Sequence, residues 1–311
     1  MEFRTRIPIK EEQPKIDYDS RVFLIGSCFV ENIGAKLEYF KLQKLQNPLG
    51  ILFHPRAIAN FLERVVSGYH YSEEDIFFYN ERWHCFEAHS ALSDPDKSVI
   101  LENLNQNLGK SREFLKNASH VVITLGTAWN YMNLVTAKAV ANCHKIPQKN
   151  FRKELSSIEE LQQSVEKIIG YLESLNPKLC IIFSVSPVRH LRDGFVENQL
   201  SKAQLICAVH SLKKSAYFPS YEIMMDELRD YRFYAEDMVH PSALAIDYIW
   251  KRFTETWFSE NAMITLAEVE KIQKGLAHKP FNAESMAHKD FLKKLKSQEN
   301  RLQQKYPHIR F

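Results

Sequence analysis

The stretch RVFLIGSCFVENIGAKL, Arg21 to Leu37, places the hydroxyl of Ser27 beside the thiol of Cys28. The run before them is apolar and strand-like, it breaks at Gly26, and the residues after it repeat as an amphipathic helix. A nucleophile at a helix N-terminus meets the positive end of the helix dipole, which favours its anionic form. It also needs a base within hydrogen-bond reach, and that base needs an orienting partner. Far along the chain, EDMVHPS sets Asp237 three positions before His240. One short turn can then bring the carboxylate to one imidazole nitrogen and leave the other for the nucleophile. Backbone amides after Gly26, near Gly50 and around Gly126 offer an oxyanion hole. The chemistry these residues suit is acyl transfer.

Each feature alone is ordinary, since Gly-Ser after a strand is commonly only a turn. Their positions relative to the predicted elements join them. Short apolar runs read as strands over Val22–Ile25, Val121–Leu125, Leu179–Val185 and Tyr221–Met225, with a weaker one at Lys41–Leu45. Helical spacing occupies Phe29–Tyr39, Pro55–Val66, Leu101–Asn117, Ser157–Leu175, Phe195–Ser215 and Ser242–Phe258, with Ser156 or Ser157 available to cap the fourth. This alternation predicts a parallel sheet covered by helices on both faces. Ligands bind such sheets at the carboxyl ends of the strands, where Ser27, Cys28, Gly50, Gly126, Arg189 and the Asp237–His240 pair all fall.

Two stretches interrupt the alternation, Tyr71–Ser93 and Trp129–Pro147, both rich in aromatic residues and His and read as hairpins or long functional loops. Beyond Phe258 the pattern turns helical and strongly charged, with Pro280 between two helices. The expected organisation is therefore a domain over residues 1–258 and a helical appendage over 259–311.

Composition narrows the function. A formal charge of +3 over 311 residues, with 45% hydrophobic and 25% charged residues, describes a globular chain and gives no electrostatic case for nucleic acid. Five cysteines at irregular spacing, without a Cys-x-x-Cys pair, argue against a disulfide framework and a structural zinc site. No signal-peptide core and no membrane-length apolar run is evident, so a cytoplasmic protein with reduced thiols is expected.

The segments LIGSCFVENIG, NPLGILFHP, ITLGTAWNY, ANCHKIPQ, SVSPVRHLRDGFVENQLSKAQL and YFPSYEIMMDELRDYRFYAEDMVHPS, spread over about residues 2 to 258, resemble the GSCFA-domain family. That family lies within the SGNH, or GDSL-type, hydrolases. The resemblance implies a flavodoxin-like three-layer α/β/α sandwich with a parallel central sheet and chemistry at ester bonds or acyl groups, without a cofactor. It places the Asp-x-x-His block on Asp237 and His240, the glycine block on Gly50 and the third block on Gly126. The third block normally carries Asn two residues after its glycine, where this chain has Ala128. The Thr127 hydroxyl or the Asn47 amide is the expected replacement donor. Counting the first block without a gap puts Cys28 in the nucleophile's place, whereas counting by residue type selects Ser27. The register and the easier ionisation of a thiol favour Cys28.

His89 with Ser90, His144 with Lys145, and Arg189 with His190 are candidate substrate contacts, suited to an anionic or polyhydroxyl ligand such as an acylated carbohydrate. His84 and His89 also read as packing residues of an aromatic hairpin. No helix-spaced His pair supports a metal site built on His89, His144 and His240, so no metal is expected. Asp193 beside Gly194 reads as a cap for the helix that follows, and Asn198 and Lys202 share one face of it. An esterase acting on a small or carbohydrate ester is the principal expectation. Transfer of the acyl group to another acceptor, and a non-catalytic glycan or ligand-binding domain on the same fold, are the alternatives.

Overall fold

A computed structural model describes residues 5–212 and 215–311. The central sheet is built from β1 (Arg21–Gly26), β2 (Gln43–Gln46), β3 (His120–Leu125), β4 (Cys180–Val185) and β5 (Ala216–Tyr217). All are parallel and lie in the order β2-β1-β3-β4-β5, the doubly wound flavodoxin-like arrangement. The chain reverses its direction of travel across the sheet between β1 and β3, whose ends Gly26 and Thr124 are paired. The connections leave these two strands on opposite sides, which opens a crevice at their carboxyl ends.

Both faces of the sheet are covered. Phe23, Ile25, Val121, Ile123, Ile181 and Phe183 point into one core, shared with α2 (Pro55–Ser67), α3 (Lys97–Lys116), α4 (Ile158–Leu175) and α5 (Phe195–His210). Val22, Leu24, Val122 and Ile182 point into the other, shared with α1 (Cys28–Tyr39), α6 (Ala243–Trp257), α7 (Glu260–Ala277) and α8 (Met286–Lys305). Alternate strand residues feed opposite layers, which explains why these strands read as continuous apolar runs.

The expected strand at Tyr221–Met225 is absent. Residues 220–227 form a helical turn with a wider π segment, and the fifth strand is the two-residue Ala216–Tyr217. Periodicity cannot separate five apolar residues into strand or buried turn, and here Pro219 and the Ser220 hydroxyl, which donates to Val185 O, start a helix instead. Ser157 caps α4 in a capping box with Glu160. Asp193 does not cap α5: Gly194 holds that position, and Asp193 pairs with Lys153.

The inserted segments form small antiparallel sheets. Ile76–Tyr79 pairs with Arg82–Cys85, and Trp129–Asn133 lies between Ala139–Val140 and Phe151–Leu155. The C-terminal helices pack into the second core rather than standing apart from it. Leu295, Leu302, Tyr306 and Ile309 are buried with Ile16, Tyr18 and Trp257, and the Tyr18 and Tyr306 rings lie 5.1 Å apart. Among the described residues no helix is long and apolar enough to cross a membrane.

Candidate active site

Gly26 makes the elbow after β1 possible. Its φ is +139°, and a Cβ there would meet Thr124 O at 2.2 Å, so any side chain would force β1 and β3 apart at the crevice. The elbow is locked from β2: Asn47 accepts from Gly26 N at 2.9 Å through Oδ1, while its amide nitrogen donates to Glu31 on α1. Leu52 N donates to Gly26 O at 3.0 Å.

The two adjacent nucleophile candidates separate here. Ser27 is the N-cap of α1, fully buried, with its hydroxyl accepting from Phe29 N at 3.3 Å. A capping hydroxyl sealed from solvent is a poor nucleophile, which counts against the Ser27 alternative. Cys28 is the first residue of α1 and is partly exposed. Its own N–H has no partner one turn back, as at any helix start. Burial pushes the thiol above its ordinary pKa, and Glu31 adds to this, while Lys202 and the amides of Cys28 and Phe29 pull it down. The helix end alone therefore does not ionise this thiol, because desolvation outweighs it.

Asp237 and His240 are joined as their spacing suggests. His240 Nδ1 lies 2.6 Å from Asp237 Oδ2, while the Val239 and His240 amides donate to Asp237 Oδ1. These bonds hold the carboxyl down to about 2, so it is ionised at neutral pH. The turn is tied to the segment after β4: Arg189 N donates to Val239 O, and the Arg189 guanidinium donates to Met238 O. His240 is half-exposed, and among the described residues its Nε2 makes no hydrogen bond. No hydrogen bond joins its ring to Ser27 or Cys28.

The expected oxyanion donors are spent elsewhere. Gly50 N donates to Asn47 O at 2.7 Å, and Gly126 N and Thr127 N both donate to Phe53 O. The Thr127 hydroxyl lies 3.2 Å from Ser201 Oγ and accepts from Trp129 N, and both polar atoms of the Asn47 amide serve the elbow. Both proposed stand-ins are partly committed, since one Asn47 N–H goes to Glu31 and the Thr127 hydroxyl is paired with Ser201, and Ala128 is fully buried with its N–H given to Ser201 Oγ at 2.8 Å. Gly126 itself is required by close approach, since a Cβ would lie 2.8 Å from the Phe53 ring.

Three inward-facing polar residues of α5 organise this rim. Asn198 Oδ1 accepts from His190 N, Ser201 holds the Thr127–Ala128 turn, and Lys202 Nζ donates to Gly126 O and Ser186 O, both at 2.8 Å. All three are buried. Lys202 has no carboxylate partner among the described residues; its Nζ lies 5.7 Å from the Tyr221 ring centre. Burial lowers its pKa to about 7, and Cys28 acts in the opposite direction. Lys202 Nζ is held at the end of β3, beside the Gly26–Thr124 pairing from which Ser27 and Cys28 follow, so it lies at the same end of the crevice as Cys28.

His190 lies next along the rim, its ring edge-on to Phe53 at 5.4 Å. Burial, followed by Lys202 and His240, lowers it to about 3, so it is neutral, and its Nε2 is buried without a hydrogen-bond partner. Lys202 was visible in the sequence only as a neighbour of Asn198 on a helix face. Its clue is that polar residues occupy the i, i+3 and i+4 core positions of α5, where apolar ones belong.

The remaining candidates divide. His89 sits beside Gly50: its N–H donates to Leu49 O, its Nδ1 accepts from Ala91 N, and its Cβ blocks any side chain at position 50. His144 is buried in the insertions, its ring 4.7 Å from His84, and both nitrogens are occupied, by Ser90 Oγ at 3.1 Å and Cys85 O at 2.8 Å. His144 is thus pinned within the insertions, while Ser90 is exposed. Lys145 is exposed on a left-handed turn. Among the described residues no group of three His, Cys, Asp or Glu could hold a metal ion.

The chain matches the family described as GSCFA over residues 21–253, and the GSCFA domain protein, C-terminal domain, over residues 269–311. No curated protein matches it. Among solved structures it is similar to a carbohydrate esterase family 3 protein from Talaromyces cellulolyticus, with 8% identity and a TM-score of 0.36 over 81% of this chain and 99% of that one.

Proposed function

The chain belongs to the GSCFA family, and on that premise we propose that it is a thiol-dependent hydrolase of small or carbohydrate acyl esters, with Cys28 as nucleophile and His240–Asp237 as its acid–base pair. The observation that carries this reading is the division between neighbours at the elbow. Ser27 is sealed in as a cap, and Cys28 is left open at the crevice where the strand order reverses.

In the reaction, Sγ attacks the ester carbonyl carbon while the thiol proton passes to His240 Nε2 and Asp237 holds the Nδ1–H. The C–S bond forms as the carbonyl π pair moves to oxygen. On collapse the C–O bond to the alcohol breaks, and the departing alkoxide takes the proton from His240. Water then attacks the thioester with His240 as base, and Sγ leaves as the carboxylic acid is released. An alcohol in place of that water would give acyl transfer by the same steps. His240 has to close on the thiol for this, and contacts of this kind commonly tighten only when substrate is bound.

The test is hydrolysis of p-nitrophenyl acetate by the full chain. Cys28→Ala and His240→Ala should each lower kcat by at least about 10²-fold, whereas Ser27→Ala should keep turnover. Turnover that survives Cys28→Ala would sink the proposal. The spent third-block donors favour a second reading, a ligand-binding domain without turnover. That reading predicts no ester hydrolysis and glycan binding unchanged in Cys28→Ala.

A further inference from the structure

Two polar side chains at the crevice keep donor capacity without an acceptor among the described residues, beside the amide that opens α1. Lysine has three N–H donors, and Lys202 gives two of them to carbonyls at the ends of β3 and β4, leaving one inside a fully buried site. His190 Nε2 is buried and unpaired. The Cys28 N–H is the first amide of α1. Buried donors left unpaired cost free energy, and an ammonium costs more than a neutral group, so their persistence together points to an anion that arrives during function. The amides of Ser27, Gly50, Gly126 and Thr127 are engaged elsewhere, which leaves the Cys28 N–H among the backbone donors after Gly26.

Building on the acyl-hydrolase reading, we infer that Lys202, His190 and the Cys28 amide form the oxyanion hole of this protein, with Lys202 a catalytic residue that faces first the sulfur and then the carbonyl oxygen. As the C–S bond forms, negative charge leaves Sγ for the carbonyl oxygen, and a single fixed cation can stabilise both positions. The two carbonyls anchoring Lys202 hold it in place before substrate arrives, which is what makes such a donor effective. The neutral His190 ring can carry its proton on Nε2 and donate beside it. A lysine whose proton is weakly held at rest binds it more firmly as charge grows on the neighbouring sulfur, in the direction that Cys28 already exerts on it. The groups that bear on this pair are Cys28 and Glu31 from α1, His190 and then His240 from the rim, and the Tyr221 ring.

The experiment follows alkylation of Cys28 by iodoacetamide from pH 5 to 10, read by mass spectrometry of the Cys28 peptide, alongside p-nitrophenyl acetate kinetics. In Lys202→Met the thiol titration should move to higher pH and alkylation at pH 7 should slow by about 10-fold, the effect of a one-unit shift. Its kcat should fall roughly 10²- to 10³-fold with KM little changed. His190→Gln, which keeps a donor, should retain more turnover than His190→Phe. A folded Lys202→Met with alkylation profile and kcat within twofold of wild type would overturn the inference. Should that variant not fold, the ε-carbon NMR titration of Lys202 in the native chain decides. Its midpoint should move to lower pH in Cys28→Ala, and an unmoved midpoint counts against the pair. A shifted thiol profile with no ester turned over by any variant would support the Lys202–Cys28 pairing while removing the hydrolase reading.

Discussion

Lys202 and Arg252 are both drawn into the interior, on helices that cover opposite faces of the sheet, yet they are kept there in different ways. Arg252 on α6 meets the fully buried Glu227 carboxylate at 3.2 Å, and the same carboxylate receives the Ile7 amide and the Tyr248 hydroxyl. Charge there is balanced within the fold, with Arg252 Nε left buried and unpartnered among the described residues, and the pair fastens the N-terminal segment to α6 and the turn after β5. Lys202 on α5 has two carbonyls, a distant aromatic face and no carboxylate. A balanced buried cation serves architecture, whereas an unbalanced one is kept for a charge that comes and goes.

The largest expected effect lies on the balanced side. Glu227→Ala leaves the buried guanidinium only Glu255 at 3.6 Å and the Ile7 carbonyl, and should cost about 3 kcal/mol in urea denaturation, with Cys28 alkylation unchanged in the folded fraction. A cost below about 1 kcal/mol would erase the contrast. The next effect is pH dependence on the unbalanced side. The folded pKa of Lys202 is about 7, below its unfolded value, so between pH 7 and about 10 the unfolded chain binds a proton that the folded chain does not. Stability should therefore rise with pH across that window, and Lys202→Met should flatten the rise by up to a few kcal/mol, read from urea midpoints at pH 7 and 9.5. Identical slopes in the two proteins would mean that the lysine is not held in the way described. The smallest effect is at the elbow. Ser27→Ala removes a helix cap and should cost about 1 kcal/mol while the thiol stays reactive.

Much of this architecture could be read from the chain. The three six-residue strands announce themselves because they are buried on both faces and largely apolar along their length. The two-residue Ala216–Tyr217 strand is too short to carry a pattern, and the apolar run at Tyr221–Met225 took its place in the reading. The Asp237–His240 contact follows from spacing within one turn, so it was legible. Donor availability was not. Whether Gly126 N or the Asn47 amide is free depends on Phe53 and Glu31, which approach through tertiary packing alone. For the same reason the face shared by Asn198 and Lys202 could be read toward the site or toward solvent, because nothing local records that the lysine side chain turns inward. The surroundings of His144 were equally hidden, since nothing local records that its two ring nitrogens meet the Ser90 hydroxyl and the Cys85 carbonyl.

The docking of α8 against Ile16 and Tyr18 bears on how the molecule is made. The layer holding α2 to α5 draws those helices and four of the sheet strands from residues before Ser211. The opposite layer is completed by Leu302 and Ile309, made long after the α1 residues they join. A nascent chain halted near residue 258 would already carry α1 and α6 on that face, but would offer Ile16, Tyr18 and Trp257 to chaperones without their α8 cover.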